Sequence, residues 1–435
     1  MGRVAMSPKS RSRGVENFAT AVRHQLGEKQ RMVRTFDVGG SGVKTALVSA
    51  LALQDFLHMD PNTLPEPAKL AELPELRWDQ KPELLGAAPG DSGFAGWLFE
   101  SVPRLKGEVS DPNVYFGVSV GGDVDHASGV IHDWWPGGGH PRQWSPSRPS
   151  PLLADLMGLP PSRTFVIHDG EAHLLGCSRS VAPPPGLGCL ALGTGVGFGM
   201  SDFTGSVIDP NTRMGSRTLA LNGVPLSGAP YRGIYERWLD LPTARGKRVQ
   251  DLMSQPFANM NRPWQYPWVS LVLGRRGIEL AEAAHDVPEL GGSGLGPEAE
   301  AEARAPAVRA YAEQWLHFLH TQFIPQLCNG RKNCAERIAF AGGVAEANWP
   351  LFAEVLLDPE TGRLRPLPAE LEEKPRGPFA KRGRGRSAKK EGAAAGSEGP
   401  DLVILPPAPP GSALIGAALY ALAGVGGAHS GIWTE

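Results

Sequence analysis

Two short glycine runs constrain this chain more than anything else in it. They are Asp37-Val-Gly-Gly-Ser-Gly-Val-Lys44 and Leu192-Gly-Thr-Gly-Val-Gly-Phe-Gly199, about 150 residues apart. Each follows an apolar, strand-like stretch. A glycine turn lets backbone N–H groups close on a phosphate without interference from Cβ atoms. Two such turns in one chain describe a cleft that grips a polyphosphate from both sides, and phosphoryl transfer is the leading expectation. The runs Arg34–Val38 and Val43–Ser49 both read as strands, so the first turn joins strand to strand. A dinucleotide fingerprint joins strand to helix and is disfavoured.

A chain of 435 residues is long for one core, and two domains are expected. A net charge of −2 gives no global drive toward nucleic acid or membrane, and no specific nucleic-acid partner is expected. No apolar run is long enough to span a bilayer. Four cysteines, Cys177, Cys189, Cys328 and Cys334, favour a reducing compartment over a disulfide framework, and no zinc-site spacing is present. A cytoplasmic location is expected. Import into an organelle through the basic N-terminus is the alternative.

Along the chain, residues 1–30, with Arg3, Lys9, Arg11 and Arg13, read as a flexible basic tail. Residues 31–185 form an N-terminal lobe, with strands at Val114–Val120 and Thr164–His168 and helices at Pro151–Leu159 and Glu171–Cys177. The Pro/Gly-rich stretch Ala182–Gly188 marks the boundary. Residues 186–435 form the second lobe, with helices at Gly277–His285 and Ala301–Phe323 and strands at Arg337–Ala341 and Asp401–Leu405. The helix at 301–323 places Tyr311, Trp315, Leu316, Leu319 and Phe323 on one face. Residues 361–400, rich in Lys and Arg among Gly, Ala, Ser and Pro, read as a disordered insertion. Residues 413–423 read as a small-residue helix.

Phosphoryl transfer needs a phosphate cradle, a metal bridging the phosphate oxygens, and a base for the acceptor hydroxyl. Gly39, Gly40, Ser41 and Gly42, followed by Lys44, supply one side of the cradle. Gly193, Thr194 and Gly195 supply the other. Asp37, ahead of the first turn, is a candidate Mg²⁺ carboxylate, with a turn-capping role as the alternative. Asp169 ends a strand and opens a helix, where it can take the hydroxyl proton or simply cap the helix. His168 is placed to orient it. Glu171 and His173 read as helix-surface or packing residues. Gly342 and Gly343 end a strand where a flat base can lie on the backbone.

In this order, the segments resemble the ROK sugar kinases of the actin, hexokinase and Hsp70 (ASKHA) superfamily. The matching pieces are Asp37–Lys44, Gly117–Asp125 with Gly129–Ile131, His168–Ala172 with Leu175-Gly176, Leu192–Gly197, Ala341–Ala345 and Gly416–Leu419. The resemblance implies an α/β, two-lobed, ribonuclease H-like fold with a central nucleotide and substrate cleft. It implies Asp169 as catalytic base, Gly342 and Gly343 at adenosine, and Gly122, His168 and Asp169 at the substrate. It also implies Mg²⁺, ATP or polyphosphate as donor, and possible homodimers. The first loop and Pro210-Asn-Thr212 are similar to polyphosphate/ATP glucokinases. Where the family usually reads Asn before the catalytic Asp, this chain has His168. The family's Pro-Gly is here Gly121-Gly122. Trp134–Gly137 lacks the family's sugar-binding Asn, and Arg213–Ser216 replaces its Glu and His. The family's cysteine-rich zinc motif is absent. Phosphate handling is therefore expected to be kept and glucose recognition rewritten or lost. The expected function is glucokinase-like phosphorylation of a sugar-like hydroxyl. The alternative is a catalytically weak nucleotide-binding protein used for sensing or interaction.

Overall fold

A computed structural model of the protein describes residues 8–28, 30–39, 42–58, 75–77, 93–134, 142–143, 152–193, 195–208, 273–285, 287, 297–324, 335–368, 402–408 and 411–434. The chain starts with helix α1 (Pro8–Leu26). A β-hairpin follows, of β1 (Met32–Val38) and β2 (Gly42–Ser49), then α2 (Ala50–His58), β3 (Glu75–Arg77), α3 (Gly93–Ser101) and α4 (Leu105–Ser110). Next come β4 (Val114–Val120), a hairpin of β5 (Gly122–Asp125) and β6 (Val130–Trp134), β7 (Arg142–Gln143), α5 (Leu153–Met157), β8 (Thr164–His168) and α6 (Asp169–Cys177).

The first sheet runs β3-β2-β1-β4-β8, antiparallel through β3, β2 and β1 and parallel from β1 to β4 to β8. The strands after the boundary repeat this plan. They are β9 (Leu187–Leu192), β10 (Val196–Met200), β12 (Arg337–Ala341) and β13 (Val403–Leu405), in the order β10-β9-β12-β13, while the short β11 (Val207–Ile208) pairs outside this sheet with Trp433–Thr434. Here β9 pairs antiparallel with β10 and parallel with β12, and β12 pairs parallel with β13. Two sheets, each opening on an antiparallel hairpin and continuing in parallel strands, make the two-lobed ribonuclease H-like arrangement. Four strands of the second sheet lie among the described residues.

Each lobe has its own core. In the first, Phe36, Phe116, Val118 and Leu98 are fully buried between the sheet and α3 to α5. The second is aromatic. It sets Tyr311, Trp315 and Phe318 of α8 (Pro297–Phe318), which follows α7 (Arg275–Ala284), against Phe340 and Phe352 of α9 (Gly343–Leu356) and its strand. The expected apolar face of residues 301–323 is all buried, from Tyr311 to Phe323. Helix α10 (Ser412–Val425) is buried from Ser412 to Ala423 and lies on the first sheet and α6. A methyl group on Gly117 of β4 would strike the Ala417 backbone, and one on Gly416 would strike that of Ala172.

Two sequence expectations are corrected. The segment 1–30 is not a tail over its described part. Val15, Phe18, Val22 and Leu26 recur at spacings of three and four, which is an amphipathic helix signal. As α1 they pack on α10 and on the turn His429–Ile432, with Phe18 and Val22 fully buried. The insertion also starts later than 361. Leu364 is buried, bridges to Leu357, and its neighbour Arg363 bridges to Val403. The rest of the basic stretch lies outside the described residues, as do Trp135–Gly137 and Pro210–Ser216. No helix among the described residues is long and apolar enough to cross a membrane.

Phe18→Ala is expected to lower the unfolding free energy by about 3–5 kcal/mol, the usual cost of emptying a buried phenylalanine site. Urea denaturation checks this, and an unchanged midpoint would mean that α1 contributes no docking energy.

Candidate active site

The strand register builds the site. Parallel pairing sets Asp37 beside Ser119, Val38 beside Val120, and Val120 beside His168. The ends of β1, β4 and β8 therefore line up. The first glycine turn, Gly121 and Asp169, each just past the end of its strand, gather along one edge of the sheet. Carboxyl ends of parallel strands are where α/β folds gather their reactive groups.

Asp169 opens α6 with its carboxylate about one-third exposed. Its Oδ1 accepts the Gly170 N–H at 2.7 Å, which fixes the side chain over the helix start. Two glycines from opposite lobes stand against it. A methyl group on Gly121 would lie 3.2 Å from Oδ2, and one on Gly197 of β10 would lie 3.1 Å from Oδ1. The base candidate and the strand leaving the second glycine loop are thus adjacent.

The loops are closed by their own backbones. Gly39 N–H donates to the Gly42 carbonyl at 2.9 Å, and Gly193 N–H to the Gly195 carbonyl at 2.9 Å. Gly193 also accepts the Arg275 N–H at 2.8 Å, so the start of α7 abuts the second loop. The loop tips Gly40, Ser41 and Thr194 lie outside the described residues. Gly342 has φ +84°, a left-handed conformation that favours glycine, and a Cβ there would sit 2.6 Å from the Leu192 carbonyl oxygen. This packs the end of β12 onto the second loop and leaves Gly343 open, with nothing within 4 Å of an added methyl among the described residues. Gly122 begins β5 and pairs with Trp134 in the hairpin beyond Gly121.

Asp37 is partly buried and accepts a hydrogen bond from Ser119 Oγ at 3.2 Å. Lys44 pairs with it in register across β1 and β2 and is exposed. Among the described residues, no three His, Cys, Asp or Glu side chains converge as metal ligands. A single hard carboxylate still suits Mg²⁺, which keeps several waters and draws its remaining ligands from substrate phosphates.

Three site residues were missed or undervalued by sequence reasoning. Glu171 is not a surface residue: it is 1% exposed, its carboxylate contacts His168 Nδ1 at 2.6 Å, and burial pushes its carboxyl pKa up. The signal was its place three residues after His168 on a helix. His173, four residues after Asp169, shares a helical face with it. Its Nδ1 lies 2.7 Å from Ser412 Oγ of α10. Burial lowers the His173 pKa, while Asp37 and Asp169 pull it back up and Lys44 pushes it down. Both carboxylates and the Lys44 ammonium therefore act on the His173 ring electrostatically. Glu346 of α9 has its pKa raised by burial and partly offset by Lys44, so it faces the same cleft from the second lobe.

No family model and no curated protein matches the chain. Several solved structures are similar over nearly their whole length. A glucokinase from Balamuthia mandrillaris, in complex with glucose, is 14% identical with a TM-score of 0.44, covering 93% of this chain and 98% of its own. A ROK hexokinase from Thermus thermophilus is 16% identical with a TM-score of 0.40, covering 91% and 99%. An inorganic polyphosphate/ATP-glucomannokinase from an Arthrobacter strain is 15% identical with a TM-score of 0.40, covering 90% and 98%. Overlays this loose carry no weight in assigning chemistry, and the chain's own geometry does that.

Behind the site, His126 stacks on Trp433 with ring centroids 4.1 Å apart. Among the described residues neither ring nitrogen has a well-formed hydrogen bond. Burial, and secondarily His168, push its pKa down to about 3. An unfolded histidine takes up its proton near pH 6.5, so the unfolded state binds more protons than the native state between the two values. The neutral ring's contribution is therefore complete above pH 6.5 and is lost as pH falls toward 3, at up to about 1.4 kcal/mol per pH unit. His126→Phe, which keeps a ring against Trp433, should flatten the fall of stability between pH 6.5 and 4 in urea titrations. An unchanged slope would remove His126 from that acid sensitivity.

Proposed function

We propose that the protein is a ROK-like sugar kinase, transferring a phosphoryl group from ATP or polyphosphate to a hydroxyl of a sugar or sugar-like acceptor. One observation carries this reading: Asp169 sits between Gly121 of the first lobe and Gly197 beside the second glycine loop. A hydroxyl held by the first lobe and a phosphate held by that loop would meet at this carboxylate. Asp169 takes the proton as the hydroxyl oxygen attacks, and the bond from phosphorus to the donor's bridging oxygen breaks.

The other residues fill supporting roles. Gly39 to Gly42, Lys44 and Gly193 to Gly195 would hold phosphates through backbone N–H groups and one ammonium. Asp37 would hold Mg²⁺, directly or through water, and the ion supplies neutralisation of charge on the phosphate oxygens. Gly342, packed on the second loop, and the open Gly343 beside it would give a base a shelf next to that loop. Sugar recognition falls to Gly122, His168 and segments outside the described residues, and a glucose-specific site is not part of the reading.

Asp169→Asn tests it. Turnover should fall by roughly 10²–10⁴-fold, the usual contribution of a general base, while nucleotide affinity measured by calorimetry stays close to that of the parent. A variant that keeps most of its turnover removes Asp169 from the role. Asp37→Asn should instead raise the Mg²⁺ concentration needed for half-maximal rate, and an unchanged requirement would place the metal elsewhere.

A further inference from the structure

His168 stands between two carboxylates, and only one of them reaches the cleft. Its Nδ1 lies 2.6 Å from Glu171 Oε2, whose side chain is 1% exposed, and its Nε2 lies 3.4 Å from Asp169 Oδ1. The Gly170 N–H lies 3.3 Å from the same Nδ1, so the ring's tautomer has to be decided. That N–H is already satisfied by Asp169 Oδ1 at the shorter distance of 2.7 Å. Nδ1 then carries its hydrogen and donates it to Glu171 at 2.6 Å, adding to the Glu171 backbone N–H in holding that buried carboxylate. With the hydrogen on Nδ1, the lone pair of neutral His168 is on Nε2, facing Asp169.

We propose that His168, held by Glu171, is a positioning and relay residue for Asp169, accepting at Nε2 the proton that Asp169 takes from the acceptor hydroxyl. This rests on the kinase reading. As the hydroxyl oxygen bonds to phosphorus, its proton moves to the Asp169 carboxylate and on to His168 Nε2. The resulting imidazolium sits between two carboxylates and later loses the proton to solvent. The arrangement is that of a buried carboxylate fixing an imidazole's tautomer and stabilising its charged form. A further titratable neighbour is His126, on the segment from β5 to β6. That ring is neutral down to about pH 3 and adds no charge to the relay above that pH.

The test has two readouts, on full-length protein labelled with ¹⁵N-histidine. NMR assigns His168 by the signal lost in His168→Asn. The expected result is a ring protonated on Nδ1 when neutral, with a titration midpoint that moves to lower pH in both Asp169→Asn and Glu171→Gln. Each substitution removes a negative charge that favours the imidazolium. A ring protonated on Nε2, or a midpoint unmoved by Asp169→Asn, overturns the proposal. The second readout is kcat against pH with MgATP and an acceptor that the parent protein phosphorylates. In Glu171→Gln the plateau should fall roughly 10–100-fold, as for other groups that orient a reacting residue. Its acidic limb should also move to lower pH, which a merely structural Glu171 would not cause. An unmoved limb in a variant with the parent's circular dichroism overturns it as well. If Glu171→Gln does not fold, His168→Asn and Asp169→Asn decide the same question. If the parent phosphorylates no acceptor, the kinase reading fails, and the NMR arm still decides the contact between His168 and Asp169.

Discussion

The close approach of backbones between α6, α10 and β10 is the constraint on which everything else depends. Gly176 and Gly416 let α6 and α10 meet without side chains between them, and Gly170 and Gly199 do the same for α6 and β10. At each position a methyl group would enter the opposing backbone, where nothing flexible can move aside. Helix α6 is therefore held against the first sheet's companion helix on one side and the second sheet on the other. Asp169, at its first turn, has its position fixed by both lobes. A carboxylate set in this way suits the proposed transfer, which joins ligands from two lobes.

The same packing explains why charge collects there. His173 is tied to Ser412 of α10 while its ring lies among Asp37, Asp169 and Lys44. Glu346 approaches Lys44 and Asp37 from α9. The cleft thus holds more acidic than basic groups among these residues.

Local signals in the sequence were strong where one residue type had one structural use. Val114–Val120 and Thr164–His168 show continuous apolar runs because parallel strands are covered on both faces, and they are strands over those bounds. The strand-to-strand turn at Gly39 disfavoured a dinucleotide fingerprint, and β1 and β2 pair as a hairpin. Asp169 and the two loops were legible because strand ends and glycines are punctuation. The hidden part depends on tertiary neighbours. Glu171 reads from the sequence as a helix-surface or packing residue, and only the folded chain shows that it is buried. His173 and Ser412 are 239 positions apart, and no local pattern links them. The N-terminal helix had a visible period of three and four, outweighed in the reading by its arginines and lysines, whose long stems tolerate a helix face turned to solvent.

The function turns on whether the two glycine loops and Asp169 form one transfer site. The most direct measurement offers the protein MgATP, and separately polyphosphate, with a broad panel of sugars and sugar-like alcohols, and reads products by mass spectrometry. A phosphorylated acceptor is expected with at least one donor, along with little donor breakdown when acceptor is omitted. Tight nucleotide binding with no acceptor phosphorylated across the panel would refute the single transfer site, leaving a cleft that binds phosphate and transfers nothing.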